Sequence, residues 1–307
     1  MTTKLLVAID FSEAADEALR QAHERARDSG STLTVLHVIP NLAHSTPLFP
    51  EISQDEVRES PALGQTALAE VSRRVQAVTG RNPEEFEPVI ADGSPAAVIV
   101  REAERRNIDL LLVGSHGKSG VVRLFLGNVA EKVVRHAHCP VLVVRPRSGT
   151  GDVLVATDFS DAALPAVAAA VREARLRGGR LTIIHSIDLS PGLTEGVSSA
   201  AGVVPYVAPP EISSDLRQTV DGMLANALQR FEGEGERIVA EGPPAAAIVR
   251  TAKRLGTDLV VVGTVGRTGL PRLLLGSVAE VVVRSAPCSV LVVRLGPGED
   301  LPGAGAE

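Results

Sequence analysis

Two stretches of the sequence place glycines, a basic linker and a helix start where an anion can be held. Asp258–Ser277 reads DLVVVGTVGRTGLPRLLLGS, and Asp109–Asn128 reads DLLLVGSHGKSGVVRLFLGN. In each, an apolar run gives way to a glycine-rich turn. A basic linker follows, and then a Gly-Ser or Gly-Asn pair opens a second apolar-periodic segment. Gly263, Gly266 and Gly269 let the backbone approach a ligand closely, as do Gly114 and Gly117 in the earlier copy. Gly276-Ser277 offers unpaired backbone N–H groups and a hydroxyl at a helix N-terminus, which favours anions. Gly127-Asn128 is the counterpart. Asn caps a helix as well as Ser does, and its amide can donate to a phosphate, but it is bulkier. A carboxylate follows the first apolar run of each copy, Asp10 and Asp158. Such a group accepts from a ribose hydroxyl or a base amine, or else from N–H groups of its own loop.

Other chemistry-bearing residues are weaker candidates. Lys118 and Arg267 follow the second glycine of each turn and could screen phosphate charge, though a solvated loop cation is the better reading. His116 lies inside the first turn where the other copy has Val265, and it has no partner base or nucleophile in sequence. The run RHAHCP, with His136, His138 and Cys139, superficially resembles a metal cluster, but its copy RSAPCS keeps no histidine. A helix end leading into a strand explains it better. His37 and His185 recur in the second apolar run and read as structural. The sequence carries no G-x-x-x-x-G-K-[ST], no G-x-G-x-x-G, no G-x-S-x-G elbow and no kinase set. Parts of an anion cradle are present without parts for efficient catalysis.

These residues have to be positioned by a duplicated frame. KLLVAIDFSEAA from Lys4 matches DVLVATDFSDAA from Asp152 at an offset of 148. Across Leu110–Arg145 and Leu259–Arg294, 22 of 36 aligned positions are identical, at an offset of 149. The joint is the short polar run Pro146–Gly151. Each copy alternates apolar strands with helices. In the first, strands are expected at Leu5–Ile9, Thr32–Ile39, Phe86–Ile90, Leu110–Val113 and Val141–Arg145. Ser12 is a helix cap, a long helix is expected over Gln54–Val78, Ser94-Pro95 starts another, and Asn128–Ala137 is the last. Continuously apolar strands separated by helices predict a parallel sheet covered on both faces. The fold class is therefore α/β, two tandem doubly wound five-stranded parallel-sheet domains, over residues 1–147 and 150–296. In such sheets ligands sit beyond the strand C-termini where strand order reverses. That places Asp10 with Gly114–Gly127, and Asp158 with Gly263–Gly276, if the first and fourth strands are neighbours. PEIS recurs from Pro50 to Pro210 at an offset of 160, so about twelve residues are inserted in the preceding loop over 190–209. It reads as a mobile surface loop, with a lid or partner contact as the other reading. The tail 297–307 is expected to be disordered.

Bulk composition narrows the function. Net charge is −6 over 307 residues, which argues against a general nucleic-acid binder. Aromatics are 2%, so the core must be aliphatic. The two cysteines, Cys139 and Cys288, occupy equivalent places and read as small buried thiols. No signal peptide or membrane-spanning run is visible, so a reducing cytoplasm is expected.

The chain resembles a tandem universal stress protein. The openings VAIDFSE and VATDFSD, the middles DGSPAAVIV and EGPPAAAIV, and the endings CPVLVV and CSVLVV carry the resemblance over nearly the whole chain. It implies a Rossmann-like, adenine-nucleotide-alpha-hydrolase-like fold. The ATP-binding branch of that family has Gly, two residues, Gly, nine residues, Gly, then Ser or Thr. Gly263, Gly266, Gly276 and Ser277 match in full; Gly114, Gly117 and Gly127 match, but Asn128 departs. The resemblance assigns Asp10 and Asp158 to the adenosine end, and the backbone around Val38 and Ile187 to the adenine. It implies ATP, with or without Mg2+, bound in the second repeat more strongly than the first. It also implies pairing through the last strands, inside one chain as a pseudo-dimer or between chains as a homodimer. The expected activity is sensing or regulation. A nucleotide-independent interaction module and a slow ATPase or nucleotidyl transferase are the alternatives.

Overall fold

The computed structural model describes residues 3–40, 61–80, 85–117, 126–146, 149–188, 210–264 and 275–294. The first repeat runs β1 (Lys4–Ile9), α1 (Glu13–Ser29), β2 (Thr32–Pro40), α2 (Pro61–Thr79), β3 (Glu87–Gly93), α3 (Pro95–Arg105), β4 (Leu110–Gly114), α4 (Asn128–His136) and β5 (Val141–Val144). The second runs β6 (Val153–Ala156), α5 (Leu164–Arg177), β7 (Leu181–Ile187), α6 (Pro210–Gln229), β8 (Glu236–Glu241), α7 (Pro244–Leu255), β9 (Leu259–Gly263), α8 (Ser277–Ser285) and β10 (Ser289–Val293). The 190–209 loop and the tail lie outside the described residues, as does the start of the expected 54–78 helix. The third strand begins one residue later than its apolar run and continues three residues beyond it, because Ala91–Gly93 still pairs with β2.

All strands within a repeat pair in parallel, as their continuous apolar character requires. The order is β3-β2-β1-β4-β5-β10-β9-β6-β7-β8, a single ten-stranded sheet. Its centre is the antiparallel pair β5–β10, with Leu142 opposite Leu291. The pairing left open by the sequence is thus made within the chain, and it covers two apolar edges at once. Apolar side chains alternate between the two faces. One face carries Val7, Val35, Val155 and Ile183 under α1, α2, α5 and α6. The other carries Leu6, Leu36, Leu154 and Ile184 under α3, α4, α7 and α8. Both layers run through the junction of the repeats.

The junction has its own polar clamp. Arg145, only 7% exposed, donates to Val283 O at 2.7 Å and Cys288 O at 3.3 Å. Arg294 donates to Val134 O and Arg135 O at 2.8 and 2.6 Å. Each repeat therefore sends a guanidinium to the C-terminal carbonyls of the other repeat's last helix, where a cation suits the helix dipole. Between α1 and α5, Arg25 pairs with Glu173, which is also held by Arg177. Ser289 Oγ accepts from Arg145 N at 3.0 Å and donates to Arg145 O at 3.1 Å.

The two first helices start differently. Ser12 is the N-cap of α1 and accepts from Ala15 N at 3.2 Å, as the sequence predicts. In the second repeat the chain makes a 3₁₀ turn over Asp161–Ala163 before α5 begins. Pro165 has no N–H to give the Asp161 carbonyl, so an α-helical first turn is not available there.

Candidate functional site

Strand order makes the site. β1 sits between β2 and β4, and β6 between β7 and β9, so the reversal falls where it was expected. A cavity of about 470 Å³ opens beyond the strand ends of the first repeat. Asp10, Val38, Gly114, Gly117, Gly127 and Asn128 all line it. A second, of about 410 Å³, is lined by Asp158, Gly263, Gly276 and Ser277. Both volumes are in the range of small-molecule sites. Gly266, Gly269, Lys118, Val265 and Arg267 lie outside the described residues.

Ile187 is the exception. Its side chain packs with the opposite core layer, and its carbonyl accepts from Gly242 N at 3.0 Å. Strand alternation gives the reason. His37 pairs with Ile9 and Ile184 with Ala156, so the counterpart of Val38 is Ser186, one residue before Ile187. Ser186 lines the second cavity in its place.

A strained turn aims each carboxylate. Phe11 and Phe159 have φ of 63° and 64°, left-handed values unusual for an aromatic residue. Each ring packs on a histidine, Phe11 on His37 at 4.4 Å between centroids and Phe159 on His185 at 4.6 Å. The histidines in turn bond the end of the first strand: His37 Nδ1 to Ile9 O at 2.9 Å, His185 Nδ1 to Thr157 O at 2.8 Å. A carbonyl partner makes Nδ1 the donor. The histidines thus brace the turn, as the sequence suggested, and they also line the cavities. Asp10 Oδ1 accepts from Ser12 N at 3.0 Å; Asp158 Oδ1 accepts from Ser160 N at 3.0 Å and Ser160 Oγ at 2.6 Å. The loop-bonding and cavity-facing readings of these carboxylates hold together, because a carboxylate has lone pairs for both.

The glycines divide by task. A Cβ on Gly117 would stand 2.5 Å from Asp10 Oδ2, so this glycine lets the turn close on the carboxylate. A Cβ on Gly114 would stand 2.9 Å from the Ala14 carbonyl carbon, so that glycine serves strand-to-helix packing as well. Gly127 N donates to Ser115 O at 2.7 Å, and Gly276 N to Thr264 O at 2.8 Å, closing the two ends of each glycine loop. Gly127 and Gly276 are themselves the N-caps of α4 and α8. This corrects the expectation for Asn128. Asn128 and Ser277 are first helical residues, and neither helix has a side-chain cap. Among the described residues no side chain caps these first-turn N–H groups, an arrangement that suits an anion.

The remaining candidates separate. His116 Nδ1 lies 3.0 Å from Ser115 Oγ, and His116 lines the first cavity. His136 and His138 are exposed while Cys139 is buried. Among the described residues no group of three or more His, Cys, Asp or Glu is placed to hold a metal ion. Burial pushes the thiols of Cys139 and Cys288 up to about 12, which makes them inert rather than reactive. No helix among the described residues is long and apolar enough to cross a membrane.

Known proteins fit this architecture. A universal stress protein of Mycobacterium tuberculosis is 29% identical over 94% of this chain and 96% of its own. One of Bacillus subtilis is 33% identical across its full length, covering 47% of this chain. The crystal structure of a universal stress protein from Archaeoglobus fulgidus aligns with a TM-score of 0.64 at 23% identity, covering 95% of this chain and 98% of that one. The sequence model of the universal stress protein family matches twice, over residues 1–145 and 150–294. With both repeats matched and the duplicated α/β frame in place, the chain belongs to the universal stress protein family.

Proposed function

We propose that the chain binds adenine nucleotide, ATP with or without Mg2+, in the crevice of each repeat, and that it acts as a cytoplasmic sensor or regulator with little or no catalysis. One observation carries the reading. Each crevice joins a strand-end carboxylate to a helix N-terminus whose cap is a glycine, with no side-chain cap among the described residues. The helix start suits phosphates, and Asp10 or Asp158 suits a ribose hydroxyl. Gly117 tests the fit, since any larger residue would meet Asp10. Mg2+ enters as an ion carried by the phosphates. The two free, buried cysteines suit a reducing compartment.

The test is titration calorimetry on full-length protein stripped of bound nucleotide, with ATP in the presence and absence of Mg2+. Two unequal sites are expected, the one at Ser277 stronger. Absence of binding at millimolar ATP would leave an interaction module independent of nucleotide. Phosphate release that survives replacement of both Gly276 and Ser277 would mean chemistry outside the proposed cradle.

A further inference from the structure

The geometry points to Ser186 as the residue by which the second crevice recognises an exocyclic amine on the bound base. The inference rests on nucleotide binding in that crevice and adds a basis for choosing the base. The helix N-terminus at Gly276-Ser277 belongs to the β9 side of the site, and β6 lies between β9 and β7. Two strand spacings are about 9.5 Å. A ligand anchored by its phosphates at α8 and crossing Asp158 therefore ends with its base over β7, at Ser186.

The hydroxyl there has one orientation. Ser186 Oγ donates to Gly242 O at 2.6 Å, which commits its only hydrogen. Its lone pairs remain, so toward the cavity Ser186 is an acceptor. An amine at the six position of a purine donates into that lone pair; a ring without the amine has nothing to offer it. The first repeat has Val38 at this place, with Gly93 where the second has Gly242. Val38 carries no side-chain acceptor at that point. The two crevices therefore differ in base selectivity as well as in strength.

The experiment compares ATP with its 6-deamino analogue, purine riboside triphosphate. Full-length Gly117→Val serves as parent, because its side chain is driven onto Asp10 in the first crevice and leaves the second to be read alone. The parent is expected to bind ATP about five- to tenfold more tightly than the analogue. Ser186→Ala should bring the two affinities within about twofold by weakening ATP alone, and Ser186→Thr, which keeps the hydroxyl, should retain the preference. An unchanged affinity ratio in Ser186→Ala, with both nucleotides still bound, overturns the role of Ser186 and leaves nucleotide binding standing. Equal weakening of both nucleotides does the same, since it places the hydroxyl on a group they share. A parent that binds neither nucleotide removes this inference together with the reading it rests on.

Discussion

The two crevices share their frame and differ in the side chains around the cavity. Phe11 and Phe159 hold the same left-handed turn, His37 and His185 brace it the same way, and Gly127 and Gly276 cap the same helix. Against that constancy, Ile9 is answered by Thr157, Val38 by Ser186, Ser115 by Thr264 and Asn128 by Ser277. Backbone devices fix the shape of the cavity and leave little freedom. Side chains on its wall vary without disturbing the fold. The seam between the repeats shows a different rule. Arg25 and Glu173 are equivalent positions, 148 residues apart, yet they carry opposite charges and meet. A contact of that kind works only between unlike copies.

The strongest way to break the comparison is therefore at the seam. Arg25→Glu sets two carboxylates against each other in a site where Glu173 is nearly buried, and should lower stability by about 3 kcal/mol. Urea unfolding measures it; an unchanged midpoint would mean that the opposite charges do not hold the repeats together. The pH dependence gives a second reading. Burial pushes the Glu173 carboxyl up, but Arg25 and Arg177 outweigh it, so its pKa lies below the ordinary value. Its contribution is present above the unfolded carboxylate value, about 4.3, and is lost as pH falls through the lower folded value. Arg25→Gln should make the acid limb of stability shallower in that window.

The next effect separates the crevices. Gly117→Val forces a side chain onto Asp10 Oδ2 and should weaken the first site by at least about thirtyfold, near 2 kcal/mol. Calorimetric stoichiometry should fall from two to one. Gly266→Val should do the same to the second site alone. Loss of both sites in either single variant would show one shared site.

Much of this arrangement was legible in the sequence because repeats constrain one another. The continuous apolar runs gave parallel strands, and the carboxylate and glycine turn fell on neighbouring strand ends as the reversal rule requires. Three features were not legible. Left-handed Phe11 has no signal in residue type, since the ring it packs on belongs to a histidine 26 positions away in the chain. That Ser186 rather than Ile187 lines the second cavity turns on one residue of register, and in a strand one residue moves a side chain to the other face. Asn128 looked like a cap because it can be one; the fold makes Gly127 the cap, since Gly127 must also approach Ser115 and His116.

That correction supplies a smaller prediction. If Ser277 capped α8, Ser277→Ala would lower stability by about 1 kcal/mol. With Gly276 as the cap, stability should change by less than about 0.5 kcal/mol, while ATP affinity at the second site falls about fivefold. Asn128→Ala should behave likewise at the first site. Thermal unfolding without ligand and titration with ATP separate the two effects. A stability loss with no change in affinity would return both residues to a purely structural role.

The smallest expected difference lies where the sequences suggest a large one. Cys139 is flanked by His136 and His138, and Cys288 by no histidine. Both thiols are nevertheless pushed up to about 12, by burial first in each case. At pH 8 the ionised fraction of either is then on the order of one in ten thousand, against about a quarter for an ordinary thiol. Iodoacetamide should therefore alkylate both at equally slow rates in the native protein, and quickly after unfolding. Selective fast labelling of Cys139 would show that the exposed histidines act on it through the helix end, and the two repeats would then differ in thiol chemistry as well as in their crevices. Equal slow labelling confines their divergence to the cavity walls and the seam, because a thiol packed under the sheet responds to its burial rather than to the residues beside it in the chain.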